Sequence, residues 1–104
     1  MIERETIQNL RTRVNNLVSS IKDEDLNDRE FISHKYMVIS TQTRVECAKL
    51  NAVMMNSREK LAAKKQHNLY RAMQVLLKEK AHKSTPEEMY KRILGCQNLV
   101  ANYK

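Results

Sequence analysis

Gly95 is the only glycine and Pro86 the only proline in 104 residues. Tight turns and hairpins draw on those two residue types, so this chain can reverse direction almost only by ending one helix and capping the next. The expected fold class is all-α, an up-and-down bundle of about four helices. Hydrophobic residues make up 41% of the chain and charged residues 30%, the balance of a folded helical protein and not of a disordered one. That length supports one small core, so residues 1–104 are read as a single domain.

Apolar spacing divides the chain into helices over 3–21, 28–55, 58–82 and 86–102. In the first, Ile7, Leu10, Val14, Leu17 and Ile21 step by three and four, the seam of a coiled coil or bundle helix. In the last, Met89, Ile93, Cys96, Val100 and Tyr103 do the same. Thr85-Pro86-Glu87-Glu88 is a strong start signal: Thr85 as N-cap, Pro86 at the first helical position and Glu88 closing a capping box. Asn27 with Glu30 predicts a second box at the start of the 28–55 helix. Gly95, inside the last helix, is expected to mark close approach of a neighbour. Asp23, Glu24 and Asp25 lie in the loop before the second helix and read as solvated charge.

The 28–55 helix carries two apolar stripes. Ile32, Tyr36, Ile39, Thr43, Cys47, Leu50 and Met54 form one; Met37, Val45, Ala48, Ala52 and Met55 form a second, about 120° away. Two stripes require neighbours on two sides, so this is either the central helix of the bundle or a helix with a subunit interface on Met37, Val45, Ala48, Ala52 and Met55. The first stripe is assigned to the core. Continuing its register lands on Ser57, Lys64 and Arg71, which places a break at Asn56-Ser57, Asn56 taking the left-handed conformation and Ser57 capping the next helix. A long continuous 28–82 helix in an oligomer is the alternative.

The 58–82 helix is sorted by charge. Lys60, Lys64, His67, Arg71, Lys78 and His82 fall within about 60° of one another at 3.6 residues per turn, opposite Ala62, Leu69, Ala72, Met73 and Leu76. The net charge of +7 is concentrated there: residues 31–83 carry +8, residues 1–30 carry −2 and residues 84–104 carry +1. A basic rod of roughly 33 Å suits a run of phosphates. Tyr70 beside Arg71, and Tyr90 beside Lys91 and Arg92, are candidate stacking partners for bases.

Catalytic and cofactor signatures are missing. One glycine cannot build a phosphate loop or a nucleophile elbow, no H-E-x-x-H occurs, and no cofactor is implied. Cys47 and Cys96 have no C-x-x-C spacing and sit in apolar stripes, and the three histidines lie at no ligand spacing, so neither a metal site nor a disulfide is expected. No window approaches the roughly 18 apolar residues of a membrane span, and Met1-Ile2-Glu3-Arg4-Glu5 lacks the order of a signal peptide. The expectation is a cytoplasmic protein that is not an enzyme.

Ser33-His34-Lys35-Tyr36, followed by a basic helix reaching Asn68-Leu69-Tyr70, is loosely similar to small phage recombination mediators that help load recombinase on single-stranded DNA. The similarity covers under half the chain and lacks their Tyr-Tyr-x-Gly ending, since Arg71 and Ala72 follow Tyr70. It implies single-stranded DNA or RNA as the nucleic-acid partner. The small helical subunits of RNA-guided complexes share the size and charge without a motif.

The reading at this level is a small accessory factor of phage or mobile-element style that binds nucleic-acid backbone as a homo-oligomer, through Lys60, Lys64, His67, Tyr70, Arg71, Lys78 and His82. The alternative is a protein-interaction adaptor or inhibitor, for example of a host defence complex, using the second apolar stripe or meeting an acidic protein partner.

Overall fold

The structure is a computed structural model that describes residues 5–56, 60–77 and 84–103, with the side chains of 53–56 and 60 outside that description. It is an all-α four-helix bundle: α1 (Ile7–Ser19), α2 (Arg29–Asn56), α3 (Lys60–Leu76) and α4 (Pro86–Ala101), with a 3-10 helix, Asp23–Asn27, between α1 and α2. α2 and α3 are separate helices packed against each other, so the continuous 28–82 helix is not formed. α2 ends at Asn56, which is still helical, and the turn expected at Ser57 lies outside the described residues.

Local chemistry sets the helix starts. The amide of Asn9 donates to Thr6 Oγ1 at 3.1 Å, so Thr6 caps α1 and the helix begins at Ile7, not at Glu3. Glu5 is thereby left outside the helix, able to bond other elements. The acidic loop is itself ordered: Lys22 N donates to Asp25 Oδ2 at 2.8 Å, and a 3-10 turn follows. At the start of α2 the cap is Asp28, whose Oδ1 accepts from Phe31 N at 3.1 Å. The predicted Asn27 is instead the last residue of the 3-10 turn. The Thr85–Glu88 capping box is present in both directions, with Pro86 in the first turn.

Leu10 and Val14 of α1, Ile32, Tyr36, Ile39, Thr43, Cys47 and Leu50 of α2, and Met89, Ile93, Cys96 and Val100 of α4 are buried in one core with residues of α3. Each fully buried aliphatic side chain contributes about 1.5–3 kcal/mol relative to exposure. Thr43 sits in this core because its hydroxyl donates to Ser40 O at 2.9 Å, which satisfies the group without a neighbour. Both cysteines are unbridged, buried thiols, and burial pushes Cys96 up to about 12.

The central helix is α4, not α2: it packs against α1, α2 and α3, whereas α2 packs mainly on α3 and α4. At Gly95 a Cβ would stand 3.0 Å from Leu76 Cδ1, so α3 and α4 approach closely there, as expected of this glycine. Arginines tie the antiparallel pairs at their ends. Arg11 of α1 donates to Val100 O at 3.1 Å and Tyr103 O at 2.7 Å, and Arg92 of α4 donates to Leu76 O at 2.8 Å. In each case a cation meets carbonyls that a helix C-terminus leaves without intrahelical donors.

Candidate nucleic-acid interface

α3 holds Lys60, Lys64, Lys65 and Arg71 and no aspartate or glutamate. Its buried side overlaps the expected one at Leu69 and Met73 but is shifted around the axis. Ala63, His67, Leu69, Tyr70, Met73 and Leu77 are buried, while Ala62 is exposed and Ala72 and Leu76 are half-buried. On a helical wheel the buried arc is turned by about 80° from the apolar side read from the sequence. Two apolar residues of α3 lie outside: Leu61 is 76% exposed and Val75 69%.

A polar cluster explains the rotation. The Glu5 carboxylate accepts from Arg13 Nε and Nη2 at 2.8 and 2.7 Å and from Tyr70 Oη at 3.1 Å. Gln66 Nε2 donates to the Glu5 carbonyl at 2.7 Å, and the Glu5 amide donates to Glu46 Oε2 at 3.2 Å. Glu46 also pairs with Lys49 at 3.2 Å. The segment before α1 is thus bonded to α2 and α3 at once, and Gln66 and Tyr70 must face inward to take part. Burial, then the Glu5 charge, drives the Tyr70 pKa up, so it remains a protonated donor. Burial works against the Arg13 charge, but the hydrogen bonds and charge of Glu5 outweigh it and raise the guanidinium pKa.

The predicted phosphate-binding residues therefore separate. Lys64 and Arg71 are exposed on one side of α3, about 10 Å apart along the axis. Lys65 is exposed as well. His67 is buried, and burial followed by the Arg71 charge lowers its pKa, so it is neutral near pH 7 and supplies no cation to the surface. Tyr70 is fully buried and bonded to Glu5, which corrects its assignment as a stacking platform. Of Lys60 the backbone alone is described, and Lys78 and His82 lie outside the described residues. Tyr90 is half-buried against the core, beside exposed Lys91.

The second stripe of α2 faces away from the bundle. Met37 is 49% and Val45 44% exposed, Ala48 is exposed and Ala52 half-buried; the Met55 side chain is not among those described. His34, Met37, Val38, Thr41 and Gln42 line a shallow depression on this side. The groove between α1 and α4 is lined by Arg11, Asn15 and Gln97 among others. Arg11 is engaged with carbonyl oxygens and Gln97 donates to Asn15 at 2.9 Å, so that groove offers an incoming anion little. Among the described residues no group of three or more His, Cys, Asp or Glu is placed to hold a metal ion, and no helix is long and apolar enough to cross a membrane.

The Glu5 cluster escapes sequence reasoning, since Glu5 lies 61 and 65 positions from Gln66 and Tyr70. The one local signal is the i,i+4 pairing of Gln66 with Tyr70, two polar-tipped side chains on one side of a helix. No protein-family model, curated protein or solved structure matches the chain.

Proposed function

We propose that this protein binds the phosphate backbone of a nucleic acid, single strands in particular, along the outer side of α3, without catalysing a reaction. The observation that carries the reading is the acid-free helix: α3 exposes Lys64, Lys65 and Arg71, and residues 31–83 hold a net +8 against −2 in residues 1–30. Among the described residues the exposed aspartates and glutamates lie outside α3, at Asp23, Glu24, Asp28 and Glu30 around the start of α2 and at Glu87 and Glu88 at the start of α4. Such segregation steers a polyanion toward one side of the molecule. With Tyr70 buried, recognition is electrostatic and weak in sequence preference.

A labelled single strand titrated at low and moderate salt tests this. Affinity should fall steeply with salt, and Lys64→Gln with Arg71→Gln should flatten the log–log slope by about 1.4, from roughly 0.7 per phosphate contact on single strands. An unchanged affinity and slope in the double variant, or no binding by the native chain at low salt, would refute it. A second reading, an adaptor that meets a protein through α2, is favoured by the exposed Met37, Val45 and Ala48.

A further inference from the structure

The outer side of α2 repeats a heptad. His34, Val38, Thr41, Val45, Ala48 and Ala52 follow one another at steps of 4, 3, 4, 3 and 4, and Met55 continues the series in sequence. On the helical wheel this seam lies about 180° from the buried one that holds Ile32, Ile39 and Leu50. A single stripe is all a helix needs to dock on its own bundle; a second heptad on the solvent side, apolar from Val38 onward except at Thr41, is the pattern of a helix that packs another helix. Beyond His34 its residues are small or β-branched. Thr41, Ala48 and Ala52 let a second backbone approach closely, and a seam of equally small residues is what can follow it in.

Charge identifies the second helix. Between 31 and 56 the only acidic residue is Glu46, which is buried toward the bundle and paired with Lys49. The positions flanking the seam are Lys35, Gln42 and Lys49 on one side and Met37, Arg44 and Asn51 on the other. Two of these cations already have partners within the chain, Lys49 with Glu46 at 3.2 Å and Lys35 over the Phe31 ring at 5.2 Å, which weakens the case for an acidic helix. A parallel pair of identical helices would set Arg44 beside the other copy's Lys49, a like-charge contact made twice. An antiparallel pair with Val45 facing the other copy's Ala48, and Thr41 facing its Ala52, sets Arg44 beside Asn51 and Lys49 beside Gln42. In that register every cation flanking the core of the seam meets an amide.

We infer that the outer side of α2 binds a second copy of this chain, antiparallel, with the dyad between Val45 and Ala48. The dimer presents two basic α3 helices on one particle, and its existence does not depend on the nucleic-acid reading.

The test uses the full chain without nucleic acid. Sedimentation or light scattering at about 100 µM, a concentration that populates even a weak dimer, should give twice the chain mass. Ala48→Glu should give the monomer mass with unchanged helicity by circular dichroism, since residue 48 is exposed. Single cysteines then read the orientation. Two copies of Ala48→Cys lie about 4.5 Å apart along the axis and should be joined by a short bismaleimide; two copies of Val38→Cys lie about 25 Å apart and should not. Native Cys47 and Cys96 are buried, and the native chain is the background control. A native monomer at that concentration, an Ala48→Glu dimer, or equal crosslinking at 38 and 48 would overturn the proposal.

Discussion

α2 and α3 lie side by side and fill their buried sides by different means. α2 buries Ile32, Tyr36, Ile39, Thr43, Cys47 and Leu50 in a continuous seam. Packing dominates its orientation, with one polar contact to the segment that also bonds α3, the Glu5 amide donating to Glu46 at 3.2 Å. α3 buries Ala63, Leu69 and Met73 but also His67 and Tyr70, with Gln66 half-buried, and leaves Leu61 and Val75 in solvent. Hydrogen bonds to Glu5 add to packing in setting its orientation, because an inward phenol or amide without a partner would cost about 1–3 kcal/mol. The contrast shows how a short-range polar demand can turn a helix about its axis against the direction its apolar residues favour.

The two mechanisms differ in what breaks them. On α2 the largest loss should come from Ile39→Ala, which leaves a cavity in the seam and should lower unfolding free energy by about 3 kcal/mol in urea titration. Met37→Ala, on the opposite side, should stay within about 0.5 kcal/mol. Equal costs at the two positions would mean that the buried and exposed sides of α2 are wrongly assigned.

On α3 the corresponding change lies outside the helix. Glu5→Ala removes the acceptor of Arg13 and Tyr70 together and should cost about 2 kcal/mol, Tyr70→Phe about 1 kcal/mol. Because both touch the same bond, the double variant should lose less than the sum, with a coupling above roughly 0.5 kcal/mol. Strict additivity would separate Tyr70 from Glu5 and remove the reason given for the rotation of α3.

This difference also decides what the sequence reveals. The seams of α1 and α4 and the core stripe of α2 are legible because each is a local periodicity that burial rewards directly. Thr85, Pro86 and Glu88 are legible for a similar reason: a capping box is complete within four residues. The buried side of α3 is legible only in part: Leu69 and Met73 of the expected stripe are buried, whereas Ala62 is exposed and the inward turn of Gln66 and Tyr70 depends on a carboxylate more than sixty positions away. Of the candidate interface, Lys64 and Arg71 are exposed as expected of a charged stripe, whereas His67 and Tyr70 were drawn from positions that the rotation turns inward. Nor does the spacing of α4 announce that it contacts all three other helices, which is a property of the tertiary packing.

His67 gives the polar side of α3 a pH signature. Burial, and secondarily the charge of Arg71, hold its pKa below the ordinary histidine value. The folded state therefore binds this proton less readily than the unfolded chain does. Its contribution to stability is complete above about pH 6.5 and declines as the pH falls from there toward the lowered folded value. Urea midpoints should drop between about pH 7 and pH 5.5 in the native chain and drop less in His67→Gln. Arg71→Gln, which removes the repelling charge, should reduce the slope as well. Identical midpoint shifts in the native and His67→Gln chains would place the titrating group elsewhere.

The smallest effect is expected where α3 is held by packing instead of hydrogen bonds. Gly95→Ala should gain about 1 kcal/mol of helix propensity in α4. Against this, the new methyl carbon meets Leu76 Cδ1 at 3.0 Å, so Leu76 must move by a few tenths of an ångström. Leu76 is half-buried in the last turn of α3, six residues beyond Tyr70, and the approaching atom is the tip of its side chain. The two terms nearly cancel, and the thermal midpoint should shift by no more than a few degrees in either direction. A loss of several kcal/mol would mean that α3 cannot give way at this end. Its C-terminal half would then be as rigidly fixed by α4 as its N-terminal half is by Glu5, and the contrast with α2 would be confined to the residues around Tyr70.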